Sequence, residues 1–183
     1  GSLNTAATDV ITVTVNDAAN AAVDATDLSA LGGKTAGVVT VTNAVVISGT
    51  TAQLTGALVT DGSLVVASTA KATISDAANA ALDATDLSAI GAKTSGVVTV
   101  TNAVVISGTD SEVTAALVTG GSKVVAGTAK VTISGNPSIS DLNAIAGETA
   151  GVVTTTLAAA SLSSLGSLNT AATDVITVTV NDA

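Results

Sequence analysis

Tandem repetition constrains the fold of this 183-residue chain more than any other feature of its sequence. Residues 17–50 and 76–109 are identical at 30 of 34 positions, at an offset of 59 residues. A third, more divergent copy at 140–154 matches 85–99 at an offset of 55. A unit that recurs at such a period has too little apolar surface to fold alone, so we expect successive units to pack against one another.

The chain also begins and ends with one sequence. "GSLNTAATDVITVTVNDA" stands at residues 1–18 and again at 166–183, an offset of 165. Subtracting the offsets of 59 and 55 leaves 51 residues for the third unit. We therefore expect part of a longer tandem array. The predicted organisation is a single segment, residues 1–183, with repeat units at about 17–75, 76–134 and 135–183.

Each unit contains two halves of similar pattern: a β-rich stretch, a short helix-like stretch, a glycine and a second β-rich stretch. Alternation of Val or Ile with Thr in "VITVTV" and "GVVTVT" predicts strands. The core must be aliphatic, because the chain has no Phe, Tyr, Trp, Met or Cys. These patterns predict a mainly β fold, a right-handed β-solenoid with short helical turns and about six coils per 165-residue super-repeat. A β-sandwich is the alternative, although sandwiches usually bury aromatic residues.

Recurring positions in the units predict structural roles. Leucines at the start of the helix-like stretches are expected in the core, namely Leu28, Leu87 and Leu142. Glycines before the strands are expected where φ is positive or where the backbone approaches a neighbour closely, namely Gly37, Gly96 and Gly151. The valines that begin the following strands complete the pattern: Val38, Val39, Val97, Val98, Val152 and Val153.

Aspartates that recur between the first two units have two interpretations. Stacked carboxylates could bind Ca²⁺, which takes six to eight oxygen ligands, and this makes candidates of Asp17, Asp24, Asp27, Asp76, Asp83 and Asp86. Alternatively, a carboxylate directly before a helix caps its free N–H groups. Asp27, Asp86 and Asp141 precede apolar helical stretches, so helix capping is the favoured interpretation and no other cofactor is predicted.

Composition argues against several classes of function. The net charge is −9, and the chain has no His and no Arg, so neither nucleic-acid binding nor attachment to anionic membranes is expected. No apolar run is long enough for membrane insertion. General acid–base catalysis most often uses His, and nucleophilic serines need a base to activate them, so we expect no enzyme activity.

The segments "DATDLSAIGAKTSGVVTVTNAVVISGT" and "EVTAALVTGGSKVVAGTAKVTIS" resemble the Ala/Thr/Val-rich tandem repeats of giant secreted or surface proteins of bacteria, especially cyanobacteria. The resemblance implies an extracellular or cell-surface location and a structural or adhesive role. The calcium-binding nonapeptide of type I secreted proteins does not occur in this sequence.

We therefore expect a structural repeat segment of an extracellular filament, surface layer or matrix, which self-associates with identical repeats end to end by stacking of solenoid coils. A rigid adhesin stalk that presents a binding domain is the alternative, and a polysaccharide or cell surface is a further candidate partner. An ice-binding solenoid is a third interpretation, because "TVT" recurs at 12–14, 40–42, 99–101 and 177–179. That motif is too irregularly spaced for a flat lattice, and exposed Thr is common in strands.

Overall fold

A computed structural model describes residues 4–182 of the chain. The strands in this part are β1 (Val13–Val15), β2 (Ala22–Asp24), β3 (Val39–Val41), β4 (Val46–Gly49), β5 (Val65–Val66), β6 (Lys71–Ile74), β7 (Ala81–Asp83), β8 (Val98–Val100), β9 (Val105–Thr109), β10 (Val124–Val125), β11 (Lys130–Ser134), β12 (Val153–Thr156) and β13 (Val175–Thr177). The helices are α1 (Ala25–Gly32), α2 (Thr51–Leu54), α3 (Ala84–Ala92), α4 (Asp110–Val113), α5 (Ile139–Gly147) and α6 (Leu162–Leu165). Two π-helical turns, Thr55–Val59 and Thr114–Val118, continue α2 and α4, and a 3₁₀ turn follows at Asp61–Ser63.

The chain divides into two compact structural units, called unit 1 and unit 2, whose boundaries differ from those of the sequence repeats. Unit 1 comprises the residues up to Asp76 together with Ala89–Thr101, and unit 2 comprises Ala77–Ser88 together with the residues from Asn102 onward. Within unit 1 the strand orders are β1-β3-β5 and β8-β6-β4-β2, and within unit 2 the order is β13-β12-β11-β9-β7. The described strand pairs inside each unit are parallel. Parallel neighbours require crossover connections, and helices occupy many of them.

The core of each unit is a set of aliphatic columns that cross the sheets. In unit 2, Leu82 pairs with Ile106, Ile106 with Val131, and Val131 with Val153. All four side chains are at most 3% exposed. In-register columns of this kind need no aromatic residue, because each side chain fills the space above an equivalent neighbour.

The helices pack leucine and isoleucine onto these columns. Leu28, Leu87 and Leu142 are 2%, 0% and 0% exposed, respectively. The valines after the glycines alternate in burial: Val39, Val98 and Val153 are fully buried, whereas Val38 and Val97 are 43% and 45% exposed. Alternation is expected of strands, whose successive side chains point to opposite faces.

The prediction of a mainly β fold, a right-handed β-solenoid with short helical turns and about six coils per 165 residues, is wrong. The units are α/β, with 28% of residues in helices and 26% in strands, arranged as parallel sheets with helices. The segments that we expected to be short helical turns form α1, α3 and α5, which are eight or nine residues long. Ala and Leu favour helix at these positions, and polar caps start the helices earlier than their apolar patterns indicate.

The repeated sequences fold in the same way in the two units. In unit 1, β2 pairs with β4 from Ala22 opposite Val46 to Asp24 opposite Ser48. In unit 2, β7 pairs with β9 at the corresponding positions, 59 residues later. Both α2 and α4 begin with a capping box, in which a threonine and a Gln or Glu three residues later bond to each other's backbone N–H.

Candidate functional site

Two of the six calcium candidates lie at the start of α1. Asp24 is its N-cap: one carboxylate oxygen accepts a hydrogen bond from the Thr26 N–H at 2.7 Å, and it accepts from the Thr26 hydroxyl as well. These bonds, the hydroxyl first, hold the pKa of Asp24 below its ordinary value. Asp27 lies in the first turn rather than before the helix. The predicted cap was therefore three residues too late in α1, and likewise in α5, where Ser138 rather than Asp141 is the cap.

The other four candidates lie in different local settings. A carboxylate oxygen of Asp76 accepts hydrogen bonds from the N–H and the hydroxyl of Thr51, at 2.6 and 2.7 Å. The main-chain oxygen of Asp17 accepts from the Asn43 amide at 2.7 Å. The two remaining candidates are placed as follows: Asp83 ends β7, and Asp86 lies in the first turn of α3.

The structure does not assemble these carboxylates into a cluster. Among residues 4–182, no group of three or more His, Cys, Asp or Glu side chains is positioned to hold a metal ion. Calcium binding stays a prediction that only removal of metal from the protein can test.

The three glycines lie where the chain passes close to a preceding strand. A Cβ atom on Gly37 would stand 2.5 Å from the carbonyl oxygen of Ile11, and one on Gly96 or Gly151 would also collide with a carbonyl oxygen. The carbonyl groups concerned belong to Ile11, Ala70 and Ala129 in turn. None of the three glycines has a positive φ. Of the two predicted reasons for glycine, close approach of the backbone is therefore the one that applies.

A threonine two residues before each glycine ties the loop to the same carbonyl group. In unit 1, the Thr94 hydroxyl donates to the Ala70 oxygen and accepts from the Gly96 N–H at 3.1 Å. In unit 2, the Thr149 hydroxyl donates to the Ala129 oxygen at 2.5 Å and accepts from the Gly151 N–H at 3.0 Å. We call each such threonine and glycine pair a Thr–Gly clamp.

The first clamp holds the segment that is duplicated at the two ends of the sequence. The Thr35 hydroxyl accepts from the N–H groups of Ile11 and Gly37, both at 2.8 Å. It lies 2.7 Å from the Ile11 oxygen and 2.9 Å from the Asp9 oxygen, either of which can accept its proton. Sequence analysis singled out the glycines and missed the threonines. The signal was present, since "KTAG", "KTSG" and "ETAG" keep the same Thr-x-Gly spacing.

The two copies of the duplicated segment share a local conformation. In the first, the Ala6 N–H donates to the Asp9 carboxylate at 3.0 Å. In the second, the Ala171 N–H donates to the Asp174 carboxylate at 2.8 Å, 165 residues later. The main chain also closes the same turn in both copies. The strands that follow these turns can therefore be compared residue by residue.

The first copy bonds to the strand that follows it in unit 1. The N–H of Val13 donates to the Val38 oxygen at 3.0 Å, and the oxygen of Val15 accepts from the Thr42 N–H at 3.1 Å. With the Thr35 bonds to Ile11, this copy uses the main chain of residues 11, 13 and 15. Because alternate residues of a strand direct their main-chain groups to opposite sides, residues 10, 12 and 14 face the open edge of β1, which ends its sheet.

The second copy bonds to the strand that precedes it in unit 2. The oxygens of Thr177 and Thr179 accept from the N–H groups of Leu157 and Ala160, at 2.8 and 3.0 Å, and the Asn181 N–H donates to Ala160. These positions correspond to residues 12, 14 and 16 of the first copy. Residues 176, 178 and 180 consequently face the open edge of β13, which ends its own sheet.

Exposure of the shared valines follows from the opposite pairing. Val10 is 79% exposed in the first copy, whereas its counterpart Val175 is 55% exposed because β12 lies beside it. Val15 is half-buried beside β3, but its counterpart Val180 is 49% exposed. Each copy thus lacks the neighbour that the other one has.

Comparison with known proteins found no likeness: no family model, no curated protein and no solved structure matches the chain. The architecture of the two units therefore rests on their own geometry. In the described part of the chain, none of the helices combines the length and the apolar character that crossing a membrane would need.

Proposed function

We propose that this chain is a structural repeat segment of an extracellular filament, surface layer or matrix, and that it self-associates with identical segments by parallel strand pairing. The observation that carries the proposal is the equivalence of the repeats. Within the near-identical sequences of residues 17–50 and 76–109, β2 pairs with β4 in unit 1 as β7 pairs with β9 in unit 2, and a capping box follows each pair. Such a chain gains length and stacking surface with every repeat.

Polar contacts on the surface repeat in the same way. The Lys71 ammonium donates to the Asn20 side-chain oxygen at 2.8 Å, and Lys130 donates to Asn79 at the same distance. Both asparagines hold a positive φ, of 66° and 65°. An exposed contact and a demanding backbone conformation that recur in both units favour a repeated structural role over a single specialised site.

The open edges supply the means of association. Unpaired strand edges on a free protein tend to recruit another strand, and this chain ends one sheet with β1 and another with β13. Apolar side chains of these edge segments are exposed, including Val10, Val175 and Val180 at 79%, 55% and 49%. Pairing of edges would cover them. The net charge of −9 opposes non-specific aggregation, because like-charged chains repel one another.

The extracellular location rests on the resemblance of the repeats to those of giant secreted and surface proteins of bacteria. An aliphatic core without cysteine or methionine also has no side chain that is readily oxidised. This suits a protein that persists outside the cell.

Electron microscopy of the purified chain over a range of concentrations tests the proposal. We expect filaments or sheets, and antibodies against the chain should label intact source cells. The matched control is Val178→Pro. Its N–H faces the open edge and takes no part in pairing with β12, so proline should abolish association while circular dichroism stays unchanged. A chain that stays monomeric at millimolar concentration, with labelling only after cells are opened, would refute the proposal. Labelled cell-surface projections built on a monomeric chain would instead favour the adhesin stalk.

A further inference from the structure

We infer that the duplicated sequence forms one shared strand at the junction between two copies of this chain, paired on one side with the end of one copy and on the other side with the start of the next. The inference rests on the proposed function and specifies its joint. The occupant of the joint is residues 174–181 of a second copy, in the place that residues 9–16 hold within their own chain.

The hydrogen-bonding groups of the two copies are complementary. Where the first copy uses residues 11, 13 and 15 for the strand that follows, the second uses the equivalents of 12, 14 and 16 for the strand that precedes. No main-chain N–H or C=O group of the segment is needed by both neighbouring strands. A single strand of this sequence therefore satisfies both sets of bonds at once, as a central strand of a parallel sheet does.

The side chains at the two ends of the segment obey the same rule. The Asp174 carboxylate accepts from the Val153 N–H at 2.8 Å, whereas its counterpart Asp9 uses its main-chain oxygen to accept from Ala36 at 2.9 Å. The Asp182 carboxylate accepts from the Leu162 N–H at 2.9 Å. The counterpart of Asp182 uses its main-chain oxygen instead, to accept from Asn43 at 2.7 Å. Different atoms of the same residues thus serve the two sides.

The Thr35–Gly37 clamp of unit 1 is the binding site that we assign to this strand. Thr35 is 5% exposed, and its hydroxyl binds both main-chain groups of Ile11. Gly37 leaves room for the Ile11 carbonyl group, which any Cβ atom would push away. Ile176 is the counterpart of Ile11, and in the second copy it faces the open edge. We therefore expect Ile176 of one chain to enter the Thr35–Gly37 clamp of another.

The first copy of the segment competes for this binding site within its own chain. A tethered strand has an effective concentration of about 1 mM, so an intact β1 should disfavour binding of a second chain at about 10 μM by roughly 100-fold. The joint should form readily once the first copy is weakened. Val13→Pro does this, because it removes the N–H that donates to Val38.

Disulfide trapping tests the joint, since the chain contains no cysteine of its own. The acceptor is the full chain with Val13→Pro and Thr40→Cys, and the donor is the full chain with Thr179→Cys. Thr179 is the counterpart of Thr14, which pairs with Thr40 on an outward face. The expected result is a disulfide between the two chains, at least 10-fold more abundant than with an acceptor that keeps Val13.

Two donor controls define geometry and register. The donor with Val178→Pro and Thr179→Cys should lose the crosslink. In the joint the Val178 N–H would donate to the Val38 oxygen in place of the Val13 N–H, and proline removes that N–H. Thr177→Cys should also fail, since its Cα atom would lie about 8 Å from that of residue 40, beyond the reach of a disulfide. Equal crosslinking by all donors would mean random collision and would overturn the inference.

An acceptor without residues 1–18 provides a second form of the test. A synthetic peptide with the sequence of residues 166–183 should raise its melting temperature and should leave that of the intact chain unchanged. A folded acceptor that neither binds the peptide nor forms the disulfide refutes the shared strand. Filaments that persist without the crosslink would overturn the joint alone, whereas a crosslink in a protein that forms no extracellular filament would overturn only the proposed function.

Discussion

Replacing Thr94 with valine should destabilise unit 1 strongly, because the hydroxyl serves both the Ala70 oxygen and the Gly96 N–H. Valine keeps the shape of threonine and removes only the bonds. A polar group left without a partner away from water costs about 1–3 kcal/mol. Thr94 and Ala70 are 7% and 1% exposed, and Gly96 is half-buried. The buried Ala70 oxygen should carry the full cost and the half-buried Gly96 N–H a partial one, so we expect a loss of about 2–4 kcal/mol in the free energy of unfolding.

Urea denaturation followed by circular dichroism measures this loss, and a melting curve should show a fall of roughly 4–16 °C for a chain of this length. Thr94→Ser keeps the hydroxyl and should recover most of the stability. Thr99→Val, on an exposed position of β8, removes a hydroxyl that is outside the clamp. If Thr94→Val matched Thr99→Val to within about 0.5 kcal/mol, a typical surface effect, the clamp would not stabilise the fold as argued.

Three further predictions concern the glycines, the carboxylates and calcium. Gly96→Ala should cost about 1–3 kcal/mol through collision with the Ala70 carbonyl group, whereas Gly120→Ala, with open space around it, should leave urea denaturation nearly unchanged. Burial, and then the charge of Asp141, raise the pKa of Asp110, so the stability that its protonated carboxyl contributes is full below the unfolded pKa and is lost as pH rises through the folded pKa. Asp110→Asn should therefore gain stability relative to wild type as pH rises above the ordinary pKa of an aspartate. The hydrogen bonds from Thr109, the backbone one first, lower the pKa of Glu112, so Glu112→Gln should show the opposite trend, with wild type losing its advantage as pH falls. A chelator should leave the melting temperature unchanged, and a fall of more than about 5 °C would establish a bound metal ion, because a ligand of the native state raises stability.

Local patterns in the sequence indicate much of the packing but little of the long-range bonding. The spacing of Leu87 and Ile90, three residues apart, is enough to mark a buried helix face, and both side chains are 0% exposed. The start of α1 at Asp24 rather than Asp27 is harder to foresee, because both aspartates are good caps. Only the bond from Thr26 decides between them. The helix content was underestimated because the caps Asp24 and Ser138 start α1 and α5 three residues before the predicted positions.

The Thr–Gly clamps were missed for a different reason. Their bonds join residues 20–26 positions apart in the sequence, and a threonine before a glycine is unremarkable until the carbonyl group that it reaches is known. The opposite pairing of the two terminal copies was equally hidden. Identical sequences carry no information about which of their two edges is occupied, since that depends on the strand that happens to lie beside each copy.

Drift between the repeats replaces one of the contacts between successive segments. In unit 1 the Asp76 carboxylate accepts two bonds from Thr51, at the start of α2. At the equivalent positions in unit 2, 59 residues later, the threonine has become Asp110 and the aspartate has become Gly135. Two carboxylates at these places would repel each other at hydrogen-bond distance, and each unit carries the acid at one of the two places only. The two copies of the terminal segment show no such drift, which is what we expect if a single strand must fit both the end of one copy and the start of the next.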